Sequence, residues 1–256
     1  MKVKGICKLC LKEKELTYEH FPPRSAFNKN TRFYKIKNSD YYENFQEYNK
    51  SKKVKSKINQ GGLGDYCLCE ECNNYLGVNY VNHYVNFAKI CFSIINHSGE
   101  FKSISFNFKK EEINLKYFLK QAIAIFICNN DTWFTKSYPE LLNFVKDKGL
   151  SFLPEMYRFY LYLNDEGQIK NGNWTMTNVY GEICEFTFPP FGIILSINNP
   201  ERIFEVSEIT AFKNYDNIVL DEFTITLNKY PTYSSLPLDF RSAEDFKNYN
   251  NKESDI

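Results

Sequence analysis

Two short cysteine spacings, Cys7-x-x-Cys10 and Cys69-x-x-Cys72, constrain this chain more than any other feature. A two-residue spacing lets a tight turn bring two thiolates together, and two such turns supply the four sulfurs of a closed tetrahedral zinc site. Because 58 residues lie between Cys10 and Cys69, the fold must close a long insertion before the sulfurs can meet. Cys67, in "CLCEEC", offers a third sulfur in the second group, and the two-residue spacing favours Cys69 over it. Cys91, Cys128 and Cys184 lie in apolar runs and read as buried core residues. A site made only of thiolates has no open position, so this zinc is structural and any chemistry needs a second centre.

The longest apolar run, "AIAIFIC" at 122–128, is too short to cross a bilayer, and "MKVKGICKLC" lacks the apolar stretch of a signal peptide. A cytoplasmic protein with no membrane partner is expected, and in a reducing compartment paired cysteines point to metal. Net charge is only +1, yet residues 1–60 carry 15 Lys and Arg against 6 Asp and Glu, while the remainder carries 17 against 25. A basic N-terminal part suits a polyanionic partner, of which nucleic acid is the commonest; a lysine-rich solvated surface explains "NKSKKVKSK" equally well.

Periodicity gives an α+β chain. Residues 28–60 are polar and lysine-rich, which predicts a long insertion or mobile loop, and the glycines of "NQGGLGDY" predict a turn back into the second cysteine group. A helix is predicted from near Cys72 to Ile95, a buried one over "INLKYFLKQAIAIFICNN", and a shorter one over "SYPELLNFVKDKG" with Pro139 near its start and Gly149 as its stop. "MYRFYLYLN", "ICEFTFPPFGIILSI" and "DEFTITLNK" read as antiparallel strands, and the tail as frayed. The divisions expected are 1–95, an α+β accessory part over 96–245, and a frayed 246–256.

Between the cysteine pairs lies "TYEHFPPRSAF". Phosphodiester hydrolysis with one divalent ion needs a base to activate water and hard oxygen ligands for the metal. His20 supplies a base, Glu19 a carboxylate, and Asn73, directly after Cys72, an amide oxygen suited to Mg²⁺ or Mn²⁺. On a strand, Glu19 and His20 point to opposite sides unless the backbone bends, and Pro22 and Pro23 end the element just after the histidine. Arg24 is a candidate for a scissile phosphate, or a plain surface arginine. His83, ten residues past Asn73 on the predicted helix, is a candidate for substrate phosphate or the ion, or a core-edge residue.

The order Cys7-x-x-Cys10, Glu19-His20 followed by "FPP", and Cys69-x-x-Cys72-Asn73 resembles the HNH endonucleases of the His-Me finger superfamily, most of all their endonuclease VII-like zinc-knuckle branch. The resemblance covers about the first 90 residues. It implies a zinc-stapled ββα-metal nuclease domain, with His20 as general base, Glu19 and Asn73 on a catalytic Mg²⁺ or Mn²⁺, and Cys7, Cys10, Cys69 and Cys72 on structural zinc. The asparagine that orients the histidine in that family has no clear counterpart here; the pattern would place it near Gly64, where Asp65 and Asn59 are only the nearest polar candidates. DNA is the implied substrate, and a role in phage defence or mobile elements the implied setting. The C-terminal part would bind a regulatory partner or a second copy. A different class of function, a non-catalytic zinc module that binds nucleic acid or protein, explains the cysteines and the charge but not the order of Glu19, His20 and Asn73.

Overall fold

Turn chemistry sets the lengths of the first strands. Val3–Ile6 (β1) runs into the Cys7–Cys10 turn, where Leu11 adopts a left-handed backbone (φ 59°) and donates its N–H to the Cys7 carbonyl at 2.8 Å. Glu13–His20 (β2) returns antiparallel and stops before Pro22 and Pro23, which cannot donate to a ladder. The computed structural model describes residues 3–35, 57–109, 111–199, 201–217, 222–234 and 236–245.

A turn over Arg24–Asn28 follows, then Phe33–Lys35 (β3), which pairs antiparallel with Lys57–Asn59 (β4). Part of the expected loop at 28–60 is therefore a two-stranded ladder; 36–56 lie outside the described residues, as do 246–256. Gly64–Cys69 (β5) comes back beside β2, giving a three-stranded sheet in the order β1-β2-β5, with His20 opposite Gly64, Glu19 opposite Asp65, and a shift of register at Thr17/Tyr18.

Cys69 then opens a helix. Glu70–Leu76 (α1) passes through a looser turn at Gly77–Val81 into Asn82–Ser98 (α2), and Gly99, at φ 54°, ends it. Glu70 and Glu71 sit in the first turn, where carboxylates complement the helix dipole, and Lys14 of β2 reaches Glu71 at 2.6 Å. The predicted helix thus begins slightly before Cys72 and extends a little past Ile95.

The remaining elements are Ser103–Lys109 (β6), Leu115–Asn129 (α3), Thr132–Ser137 (α4), Pro139–Lys146 (α5), Tyr157–Leu163 (β7), Lys170–Thr177 (β8), Gly181–Phe188 (β9), Phe191–Ile197 (β10), Ser207–Glu208 (β11) and Glu222–Asn228 (β12). A five-stranded antiparallel sheet runs β11-β7-β10-β9-β8, and β6 pairs with β12. Helix α5 starts at Pro139 as expected but ends at Asp147, whose carboxylate accepts the Gly149 N–H at 2.9 Å, so Gly149 belongs to the turn beyond. Strands β6 and β8 were not predicted: β8 is mostly polar, whereas β6 does alternate, with Ile104, Phe106 and Phe108 between polar residues, and that signal was overlooked.

The result is a mixed α/β fold with antiparallel sheets. One cluster of buried side chains runs from Leu16 and Leu68 in the first sheet through Tyr84 and Phe87 of α2 to Phe118 of α3 and Phe191 of β10, crossing residue 95 without a break. No described helix is long and apolar enough to cross a membrane.

Helix α3 lies at the centre, buried along nearly its whole length, and it buries two lysines as well. Lys116 pairs with Asp216, while the Lys120 amine donates to the carbonyls of Phe144, Asp147 (2.8 Å) and Leu150 (2.9 Å) and lies over the Phe144 ring. These carbonyls belong to the C-terminal end of α5 and the turn after it, where a cation complements the helix dipole. Burial pulls the Lys120 amine from 10.5 down to about 7. Below pH 7 the lysine is charged in both folded and unfolded chains and the full cost of burial is present. Between about 7 and 10 only the unfolded chain keeps the proton, so stability rises with pH. Lys120→Met should destabilise by about 3 kcal/mol through the carbonyls it leaves unmatched. The gap in Tm to wild type should widen from pH 7 to pH 9; thermal melts at both values check this, and an equal gap would contradict it.

Candidate metal centre and the histidine beside it

The first centre is built by two junctions. Cys7 and Cys10 sit on the β1–β2 turn, Cys69 closes β5, and Cys72 lies in the first turn of α1. The Lys8 N–H donates to the Cys67 carbonyl at 2.9 Å and so ties the first turn to β5. Their four Sγ atoms lie within 4.8 Å of one another, and Cys10 and Cys69 are 3.9 Å apart. Four sulfurs held about 2.3 Å from a zinc ion stand about 3.8 Å apart, so the group is close enough to bind a metal ion such as zinc. Cys67 is outside this group; it is fully buried and its thiol meets that of Cys128 in the core. Burial pushes the Cys7 and Cys72 thiols up, and the nearby Cys7 sulfur adds to the effect on Cys72. A divalent cation reverses that preference, because a coordinating thiol loses its proton outright.

The second group of residues starts at the end of β2. The outer face of the sheet carries Tyr18, His20 and Tyr66: the Tyr18 ring meets His20 edge-on at 5.1 Å and Tyr66 at 5.4 Å. His20 Nε2 lies 3.2 Å from the Gly61 carbonyl. A carbonyl only accepts, so Nε2 carries the hydrogen and Nδ1 keeps its lone pair as the basic atom.

The loop that supplies this carbonyl is held by Asn28, which is fully buried. Its Nδ2 donates to the Pro22 carbonyl (2.7 Å) and the Leu63 carbonyl (2.8 Å), and its Oδ1 accepts the Leu63 N–H at 2.7 Å. Next to Leu63, Gly62 has φ 113°, and a side-chain carbon there would lie 2.7 Å from His20 Cδ2 and strike the Asn28 carbonyl. Only glycine fits both the conformation and the approach. Asn28 and Gly61 were not among the expected site residues. A buried asparagine in a polar loop leaves no periodic mark; the pair Gly61-Gly62 was the visible signal, read only as a turn. Of the residues expected to orient the histidine, Asp65 lies opposite Glu19 and accepts the Tyr66 N–H at 2.9 Å, and Asn59 sits on β4 opposite Phe33.

Glu19 points the other way. It is 8 % exposed and faces Leu76, Gln121, Ala124, Ile125 and Cys128, across a space too small for a water molecule. Burial pushes its carboxyl up to about 7, against a hydrogen bond from Asn73 that lowers it. Asn73 Nδ2 also donates to Thr17 Oγ1 at 3.0 Å. The structure therefore joins Glu19 to Asn73 and sets His20 on the opposite face of the strand. The Glu19 carboxylate, the Asn73 amide oxygen and Gln121 Oε1, which is buried beside Glu19 without a hydrogen-bond partner, are hard oxygens of the kind a divalent ion takes, but the closed space between Glu19 and Gln121 has no room for an ion with its waters.

Arg24 is exposed, four residues past His20. His83 is not brought to this group. Its Nδ1 accepts the Asn114 N–H at 3.1 Å, its ring packs on Tyr117 at 5.2 Å, and burial pushes its pKa down, so it joins α2 to the start of α3.

Purified protein should carry one zinc per chain, lost on Cys69→Ser together with most of the ordered structure of residues 3–35 and 57–98; elemental analysis and circular dichroism check both. Asn28→Ala should cost about 3 kcal/mol for three buried hydrogen bonds. It should also erase the Nε2–H signature of His20 in nitrogen NMR while zinc content is unchanged. Compared with known proteins, the chain matches no family model, no curated protein and no solved structure.

Proposed function

We propose that the chain is a metal-dependent endonuclease that hydrolyses phosphodiester bonds in DNA, with an N-terminal ββα-metal domain of the HNH type. The reading rests on one arrangement: antiparallel strands β2 and β5 leading into helix α1, stapled by four cysteines, with His20 at the end of one strand and Asn73 in the first turn of the helix.

In this reading His20 Nδ1 takes the proton of the attacking water. The Gly61 carbonyl holds Nε2–H, fixing the ring's tautomer and stabilising the imidazolium that forms. Arg24 offers a guanidinium to the phosphate oxygens. Glu19 and Asn73 are the hard donors that would hold a divalent ion, whose charge would serve the developing oxyanion; for that, Glu19 has to leave its cover beneath Gln121 and Cys128 and turn to the face of His20. The zinc takes no part in the reaction; it fixes Asn73 through its neighbour Cys72. The covered position of Glu19 favours a second reading, a zinc-stapled module that binds nucleic acid without cutting it.

Nicking of supercoiled plasmid in Mg²⁺ or Mn²⁺ separates the two. The wild type should nick, and His20→Ala should lose at least about a hundredfold in rate at equal zinc content. No nicking by wild type, with DNA binding intact, would replace the nuclease reading with the binding module.

A further inference from the structure

Four aromatic rings crowd the edge where His20 lies, and none is properly buried: Tyr18 is 36 % exposed, Tyr66 43 %, Phe27 43 % and Phe92 47 %. They form two pairs, Tyr18 against Tyr66 at 5.4 Å and Phe27 against Phe92 at 4.8 Å. Gly62 links the pairs. Tyr18 OH donates to its carbonyl at 3.2 Å, the His20 ring lies against its Cα, and the backbone of Asn28, the neighbour of Phe27, closes the other side.

Phe27 is doubly unfavourable for the fold. Its backbone is left-handed, at φ 67° and ψ 4°, a region in which a bulky residue is an outlier, and the strain holds its ring partly in water. An asparagine would suit that conformation better. Basic groups outnumber acidic ones around Phe27 and Phe92, although Asp65 lies beside Tyr66 and Tyr18 and Glu112 beside Lys89. Residues 20–35 and 82–98 contain no Asp or Glu, and Arg24, Lys29, Arg32 and Lys89 in these segments are exposed.

We infer that this face binds a DNA strand with unpaired bases, which stack on Tyr66, Phe27 and Phe92 while the basic side chains follow its phosphates. Stacking needs the flat face of a base, and a duplex keeps those faces covered by neighbouring bases. A purely electrostatic duplex site has no use for exposed phenyl rings. The inference deepens the nuclease reading by naming the substrate of the same site as single-stranded or locally unpaired DNA, and it rests on that reading for the location of the scissile bond.

The test is fluorescence anisotropy of zinc-loaded His20→Ala protein with a labelled thymidine oligonucleotide and with a blunt duplex of equal length, at one fixed salt concentration. The single strand should bind at least tenfold more tightly. Phe27→Asn and Tyr66→Ala should each weaken single-strand binding about tenfold, the lower part of the range for one lost stacking partner, with little change for duplex. The Tm of Phe27→Asn should equal or exceed that of the parent, which separates a binding role from a structural one. Equal affinity for the two DNAs, an equal loss on both in the variants, or no binding to either would overturn the inference. Plasmid nicking by wild type is scored separately. Its absence with the single-strand preference intact would remove the nuclease reading and leave the binding surface, and duplex cleavage without that preference would do the reverse.

Discussion

The convergence of four cysteine sulfurs is the constraint on which the N-terminal half depends. Strand β1 has only four residues and β5 six, and the sheet has few large apolar residues of its own. Cys7 and Cys10 fix the turn between the first two strands, and Cys69 and Cys72 fix the transition from β5 into α1. With the four tied, the start of the helix has one position relative to the end of β2, and Asn73 can reach Thr17 and Glu19. A metal ion held at this point would do what a hydrophobic core does in a larger domain.

Much of this was legible in advance, and the reasons are particular. Cysteine spacing is a geometric signal that survives a long insertion, so the four sulfurs were found, and the preference for Cys69 over Cys67 follows the strand-to-helix transition at which Cys69 sits. Alternation along β2 puts Glu19 and His20 on opposite sides unless the strand bends, the resemblance puts them in one site, and the structure follows the alternation, the register shift at Thr17/Tyr18 falling too early in the strand to bring them together. What lay beyond reach was tertiary. Nothing in "RSAFNKN" marks Asn28 as buried, since its three hydrogen bonds go to Pro22 and Leu63, the latter 35 positions away. His83 lies on the expected helix, but rotation about the helix axis turns it toward Tyr117 and Asn114 rather than toward His20.

Helix α3 shows why the C-terminal half cannot be treated as an appendage. Its apolar run reads as core, and it is core for both halves: Gln121, Ala124, Ile125 and Cys128 cover Glu19, and Phe118 meets Tyr84, Phe87 and Phe191. The lysines that a periodicity argument would put in water are its anchors instead, each matched to acceptors on neighbouring segments. Burial that is costly for an isolated charge is tolerated where every donor finds an oxygen.

That arrangement has a temporal side. The partner of Lys116, Asp216, comes 100 residues later in the chain, and β6 pairs with β12 near the end of the described sequence. Ribosomal synthesis therefore completes the strands around His20 and the last of the four clustered cysteines long before the groups that lock α3 in place have emerged. Until α3 is in place, Glu19 lacks the cover of Gln121, Ala124, Ile125 and Cys128, and the surface they later close is open. The same first hundred residues thus present two different chemical faces, one to the nascent chain's surroundings and one to those of the finished molecule.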